Sequence, residues 1–209
     1  MGKVRFKEPV WEPRIHAGAP PHVLVTQLEA WEDSARDSPP TYSIYSGADH
    51  QFFAVNSTSG ELRTKEPITR PVNSTYFVIV IAYCNGQSEI QQLRISVTEF
   101  NRNLPRFLQD IYRIEVPISL GVGEALTQLE ATDGDPQPYN RELRYFLEPV
   151  VSGEPDVLSV DVVTGRVSLA RRFAAGHPRI QRWNAIVRDG GSPLRKGVAF
   201  LELIVKMIS

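Results

Sequence analysis

Long apolar runs, cysteines and excess charge are all scarce in this chain of 209 residues. No run of 18 or more apolar residues occurs, so the sequence predicts no membrane-spanning helix. The single cysteine, Cys84, excludes an internal disulfide framework and any zinc site built from several cysteines. The net charge of −1 provides no electrostatic attraction for nucleic acid or for an anionic membrane surface.

Arrangements typical of catalysis are also missing. Asp133 and Asp135 are close in sequence, but no base, nucleophile or cofactor motif lies near them. No two histidines have the spacing of metal ligands on a helix, and all four lie in polar or proline-flanked settings. We therefore predict that the chain is not an enzyme, and that the histidines are surface residues: His16, His22, His50 and His177.

Strand-forming segments are abundant. Residues 76–83 and 200–205 are β-branched or aromatic runs of strand length. Residues 93–98 alternate between apolar and polar side chains, which predicts a half-buried strand. The best helical candidate, residues 171–175, is one turn at most. Cys84 ends an apolar strand, so we predict that it is a small buried hydrophobe.

The strand pattern occurs twice along the chain. Residues 53–62 match residues 158–167, and Val97 matches Val205 after a small drift in spacing. Each copy has a glycine, Gly60 or Gly165, in a turn that needs a positive φ. We therefore predict an all-β fold with two tandem seven-stranded Greek-key β-sandwiches, one over residues 1–102 and one over residues 103–209.

Two Asn-x-Ser/Thr triplets begin at Asn56 and Asn73, both in polar turns. Such triplets are acceptors for N-glycosylation, so Asn56 and Asn73 are candidate glycosylation sites and favour a secreted setting. The first residues of the chain lack an apolar signal region, so an extracellular protein of this sequence would be a fragment of a longer chain.

Three motifs in a fixed order resemble those of tandem extracellular cadherin repeats. Residues 131–135 (ATDGD) are similar to A-x-D-x-D, and residues 187–193 (VRDGGSP) to A-x-D-x-G-x-P. The linker, residues 99–107 (EFNRNLPRF), resembles D-x-N-D-N-x-P-x-F. The resemblance covers essentially the whole chain. It implies a divergent, long cadherin or protocadherin, with the tip-link type as one alternative.

In that family, three calcium ions stiffen each junction between repeats. Calcium takes six to eight oxygen ligands, and closely packed ions need many carboxylates to offset their repulsion. The resemblance implies that the ligands here are Asn101, Asn103, Asp133, Asp135, Asn140 and Asp189.

The linker departs from the family pattern. Glu99 replaces the first aspartate, and Arg102 replaces the second. The expected glutamate of the first repeat falls at His16 or Ala17, and only Arg70 remains of a D-R-E segment. A guanidinium about 5 Å from a divalent ion is repelled by roughly 6–7 kcal/mol at an effective dielectric constant near 20. A micromolar site binds with only about 8 kcal/mol.

We therefore expect at most one calcium ion at this linker, or none, and a bent or flexible joint. The alternative is that the acids are solvated and that Arg102 forms a salt bridge with one of them. The resemblance implies adhesion or mechanical linkage on the extracellular side of the plasma membrane, within a membrane-anchored protein. The implied partners are other cadherin ectodomains, and a dimer is possible. The competing hypothesis is a module that binds a ligand or receptor on a bent two-domain face or a dimer interface.

Overall fold

A computed structural model describes residues 3–7, 12–32, 39–151, 156–174 and 176–206. The chain divides into two compact units. Unit 1 comprises Met1–Asn101 and Gly191–Pro193, and unit 2 comprises Arg102–Gly190 and Leu194–Ser209. No helix in the described part of the chain has the length and apolar character needed to cross a membrane.

Unit 1 is built from short strands that run mostly antiparallel. They are β1 (Val4–Phe6), β2 (Arg14–His16), β3 (Leu24–Gln27), β4 (Ala30–Glu32), β5 (Thr41–Ser46), β6 (Phe53–Val55), β7 (Glu61–Thr64), β8 (Thr75–Cys84) and β9 (Gln87–Thr98). A four-stranded sheet has the order β2-β9-β8-β5, and a three-stranded sheet has the order β3-β7-β6. The β1-β4 pair extends the unit, and β2 pairs with β9 in parallel.

Unit 2 repeats the same topology. Its strands are β10 (Arg106–Phe107), β11 (Ile111–Pro117), β12 (Ala125–Gln128), β13 (Ala131–Thr132), β14 (Arg144–Pro149), β15 (Leu158–Val160), β16 (Arg166–Leu169), β17 (Ile180–Arg188) and β18 (Lys196–Lys206). The sheets have the orders β11-β18-β17-β14, β12-β16-β15 and β10-β13.

Each unit is therefore a β-sandwich, and the predicted all-β fold is confirmed. Counting β1 with β2 and β3 with β4 as interrupted single strands gives seven strands among the described residues of unit 1, and unit 2 follows the same scheme. The predicted strands at 76–83, 93–98 and 200–205 all lie within longer observed strands. Alternate residues of β8 are buried, which is how one face of a sheet contributes to a sandwich core.

The helical candidate at residues 171–175 is not a helix in its described part. Residues 171–174 are not helical, and residue 175 lies outside the described residues. Short 3-10 turns occur instead at His50–Phe52 and Pro138–Arg141. The second turn begins with a proline. Proline lacks a backbone N–H, and the N–H groups at the start of a helical turn form no hydrogen bond within the turn, so nothing is lost there.

The buried role of Cys84 is confirmed. Its side chain is buried, and its thiol lies 3.5 Å from a carboxylate oxygen of Glu32. Burial, followed by the contact with Glu32, raises the pKa of the Cys84 thiol above its usual value. A thiol kept protonated in this way is a poor nucleophile.

Candidate calcium site

The predicted calcium ligands are divided between the two units. Asn101 belongs to unit 1, whereas the other five belong to unit 2. Within unit 2, Asp133 and Asp135 follow β13, Asn140 lies in the 3-10 turn, and Asp189 follows β17. Asn103 lies just before β10.

Asp135 holds the linker through three hydrogen bonds. Its buried carboxylate accepts the backbone N–H of Asn103 at 3.0 Å and that of Arg102 at 3.4 Å. The side-chain amide of Asn103 donates to the same carboxylate at 3.1 Å. Both oxygens of Asp135 are therefore engaged by the linker. Hydrogen bonds to a carboxylate are among the stronger ones in proteins, so the start of unit 2 is well anchored.

Asp133 has a carboxylate oxygen that no described residue satisfies with a hydrogen bond. One of its oxygens accepts the backbone N–H of Asp135 at 2.8 Å. The other, Oδ2, is buried and accepts no hydrogen bond from the described residues. Burial raises the pKa of Asp133 above its ordinary value, the charge of Asp135 adds to this, and Arg141 opposes it. A half-buried carboxylate with one buried, unpaired oxygen would be stabilised by a cation.

Asn140 and Asp189 complete the group in unit 2. Asn140 is 1% exposed, and its Oδ1 accepts no hydrogen bond from the described residues. Asp189 is fully buried, and its Oδ1 accepts the backbone N–H of Arg195 at 3.0 Å. Buried polar atoms of this kind usually have partners, so the orphaned oxygens of Asp133 and Asn140 need an explanation.

The donor set is small for calcium. Within the described ranges, no three His, Cys, Asp or Glu side chains converge as a group that could hold a metal. An ion in unit 2 would therefore need amide and backbone oxygens in addition to carboxylates. The chemistry of the donors suits calcium, and their number limits how many ions they can serve.

Arg102 presents only its backbone to the acids. Its side chain is exposed, and it forms no ion pair with any described residue. The salt bridge considered as an alternative for Arg102 is not among the contacts of the described chain. Glu99, the other altered linker residue, is also exposed.

Unit 1 differs from the prediction at His16. This residue was predicted on the surface, and that is wrong, because it is 7% exposed. Its backbone N–H donates to Ser192 Oγ at 3.0 Å, and its ring Nδ1 lies 2.9 Å from the same oxygen. The ring of Phe100 meets the imidazole edge-on at 4.9 Å. Burial lowers the pKa of His16, which favours the neutral ring.

Asn101 lies beside this histidine cluster. It is fully buried, and its backbone N–H donates to the carbonyl of Ser192 at 2.8 Å. Its side-chain amide donates to the carbonyl of Pro193 at 2.9 Å. At the position where the family pattern has an acid, unit 1 thus has a neutral imidazole–hydroxyl contact.

A buried ion pair in unit 1 was missed by sequence reasoning. Asp49 is 2% exposed. Its carboxylate accepts hydrogen bonds from both terminal nitrogens of Arg70 and from the backbone N–H of Phe77. The Arg70 guanidinium also lies 4.2 Å from the centre of the Tyr76 ring. No local motif links Asp49 to Arg70, so only the fold reveals the pair.

Both predicted glycosylation sites are exposed. Asn56 lies in the turn between β6 and β7, where its Oδ1 accepts the N–H groups of Thr58 and Ser59. Asn73 precedes β8 and has a φ of 70°, a conformation that asparagine tolerates better than most residues. The accessibility of the two residues is compatible with modification.

Comparison with known proteins shows that the chain is similar to protocadherins. Protocadherin-23 of Homo sapiens is 29% identical over 174 residues, which cover 81% of this chain and 5% of that protein. Protocadherin Fat 2 of Rattus norvegicus is 28% identical over 194 residues, covering 90% of this chain and 4% of that protein. The chain is therefore a relative of the protocadherins, which is consistent with tandem cadherin repeats.

A third relative, protocadherin gamma-C4 of Homo sapiens, is 32% identical over 136 residues, which cover 64% of this chain and 14% of that protein. No family profile matches the chain. The chain spans only a small part of each relative, between 4% and 14% of its length. The Fat 2 match is long enough to include both repeats.

Proposed function

We propose that these two cadherin repeats are an adhesive or mechanical segment of a membrane-anchored ectodomain, act without catalysis, and bind at most one calcium ion. The observation that carries the calcium proposal is the pair of orphaned buried oxygens on Asp133 and Asn140 in unit 2. Calcium binding would satisfy the Asp133 oxygen and relieve the burial of its charge.

The same residues argue against a full set of ions. Asp135 already uses both oxygens for the linker, and Asp189 uses one for Arg195. Calcium takes six to eight oxygens, so the carboxylates and amides available in unit 2 can complete one coordination shell but not three. Arg102 and His16 stand where the family pattern has acidic residues. Two carboxylates that further calcium ions would require are therefore missing.

We propose that Asp133 would supply the central carboxylate, with oxygens from Asn103 and Asn140, whereas Asp135 and Asp189 remain predicted ligands. The role of Asn101 remains a prediction. The ion would supply charge neutralisation and would stiffen the start of unit 2. A linker with so few ions restrains its neighbours less than a full cluster does, so we propose a bent or flexible joint between the repeats.

The test is calcium titration of the whole chain. We expect binding with a stoichiometry of one, together with stabilisation of unit 2 by about 2.7 kcal/mol when calcium reaches about 100 times its Kd. Asp133→Asn should abolish both effects. Asp110→Asn makes the same charge change at an exposed residue of unit 2 and should change neither.

A gain-of-function variant sharpens the test. Arg102→Asp removes the repulsive charge and restores an acid, so it should tighten binding by more than about tenfold or admit further ions. Small-angle scattering should then show a calcium-dependent stiffening that the natural sequence lacks. Binding of three ions by the natural sequence, or no stabilisation at millimolar calcium, would contradict the proposed single site.

A further inference from the structure

Three cationic residues lie side by side on unit 2, one on each of three neighbouring strands of its four-stranded sheet. Arg188 of β17 is directly opposite Arg144 of β14 on one side and Lys196 of β18 on the other. Neighbouring strands are about 4.8 Å apart, so the three residues span about 10 Å across the sheet. We call Arg144, Arg188 and Lys196 the cationic row.

The cationic row lies on the outer face of the sheet. Val187 of β17 and Ala199 of β18 belong to the core of unit 2, and the side chains of a strand alternate between its two faces. Arg188 and Lys196 therefore lie on the face opposite to the core. Lys196 is exposed and Arg188 is half-buried, whereas the Arg144 side chain is only 15% exposed. A ligand would thus reach the row mainly at Arg188 and Lys196.

The charges of the row are only partly neutralised by neighbouring acids. Arg144 forms an ion pair with Glu142. Arg188 and Lys196 form no ion pair with any residue that the structure describes. The guanidinium of Arg188 instead lies 4.8 Å from the centre of the Phe146 ring, a contact that orients the planar group without neutralising its charge. The row therefore offers positive charge to an anionic ligand.

Unit 1 shows that the fold does not require this row. The spacing that relates the two copies of the strand pattern relates Arg188 to Tyr83, whose neighbours on the adjacent strands are Thr41 and Ser88. The equivalent row of unit 1 is therefore uncharged. Like charges directly opposite each other in a sheet repel and lower its stability. Packing thus gives no reason for three cations in unit 2, whereas an anionic ligand would relieve their repulsion.

We propose that the cationic row binds a linear sulfated polysaccharide. A single exposed ion pair in water contributes little, so one small anion would not be held on this open surface. A polymer with an anion on each repeating unit contacts several cations at once, and each contact raises the effective concentration for the next. The guanidinium of Arg188 presents parallel N–H groups, which suit the oxygens of a tetrahedral oxyanion.

The choice of polyanion rests on the extracellular setting of the proposed function. Basic surfaces are typical binding sites for heparin, which is a sulfated polysaccharide. Anionic lipids are concentrated in the cytoplasmic leaflet of the membrane, so they would not meet an ectodomain. Asp189 follows Arg188, but it is fully buried and presents no exposed carboxylate to the polymer. The binding itself requires neither adhesion nor calcium.

Surface plasmon resonance of the 209-residue chain on immobilised heparin, in EDTA, tests the proposal. Binding should weaken between 0.1 M and 1 M salt, because the Debye length falls from about 10 Å to about 3 Å. Arg188→Gln and Lys196→Gln should each raise the Kd by about threefold, and the double variant by about tenfold. The matched control is Lys206→Gln, which makes the same charge change at the other end of β18, where Lys206 is paired with Glu115. It should leave the Kd unchanged.

Urea unfolding guards against misfolding of the variants. Lys196→Gln should unfold no more readily than the natural sequence, because it removes repulsion between like charges. A natural sequence that does not bind heparin at 0.1 M salt would overturn the proposal, as would an equal loss of affinity in Lys206→Gln. Equal affinity for desulfated heparin or for polyglutamate would overturn the assignment to a sulfated polymer. Because heparin binding is measured in EDTA, its failure is distinguishable from failure of the calcium proposal, and binding seen only in calcium would contradict a role for the row.

Discussion

Removal of Asp49 is the sharpest test of how unit 1 is held together. Its carboxylate is 4% exposed and accepts three hydrogen bonds, two from Arg70 and one from the backbone N–H of Phe77 at 2.8 Å. Arg70 also stacks on the Tyr76 ring of β8. The pair therefore ties the loop before β8 to the loop that contains Asp49.

The expected loss follows from burial. Breaking a fully buried ion pair costs about 3–5 kcal/mol, because the remaining charge has no partner. The Arg70 side chain is 39% exposed, so water can solvate part of its charge. We therefore expect Asp49→Ala to lower the free energy of unfolding of unit 1 by about 2–3 kcal/mol. Asp49→Asn keeps an acceptor of the same shape and should cost about 1–2 kcal/mol.

Urea unfolding, with hydrogen exchange read separately for each unit, measures this loss. Exchange in the β8–β9 hairpin should accelerate, whereas the β17–β18 hairpin of unit 2 serves as an internal control and should not change. In a double-mutant cycle, Asp49→Asn with Arg70→Met should show a coupling of about 1 kcal/mol or more. Additive losses, or a loss below about 0.5 kcal/mol for Asp49→Ala, would refute the reasoning.

Two further predictions concern backbone strain and pH. Gly60 has a φ of +75°, and an added Cβ would lie 2.5 Å from the carbonyl oxygen of Leu28, so Gly60→Ala should destabilise unit 1 by about 2 kcal/mol or more. Gly18 has the same φ but lies in open space, so Gly18→Ala should cost only about 1 kcal/mol. If urea unfolding showed the same loss of stability for both variants, the predicted clash of the added Cβ with Leu28 would be contradicted. Burial lowers the pKa of His16, so the unfolded chain binds a proton at this residue more readily than the folded chain does. The free energy of unfolding should therefore fall as the pH drops below about 6.5. His16→Gln should flatten this slope between pH 7.5 and 5, and an unchanged slope would argue against His16.

Local chemistry determined much of the fold. Alternating and β-branched segments placed strands at 76–83, 93–98 and 200–205, because strand side chains alternate between core and solvent. The turn glycines Gly60 and Gly165 were expected at positive φ, and both have it. These properties depend on residues close in sequence, and the repetition of the pattern reveals the tandem organisation.

Tertiary structure alone decided the polar contacts. His16 looked like a surface residue from its sequence neighbours, but it is buried against Ser192, which is 176 positions away. Asp49 and Arg70 carry no local signal of their pairing, because each meets the other only after β8 has packed. The sequence identified the acids near the linker, and the fold decided that Asp135 is engaged while Asp133 keeps an unsatisfied oxygen. Hydrogen bonds and desolvation depend on distances that form only when the sheets assemble, so the linear pattern cannot determine them.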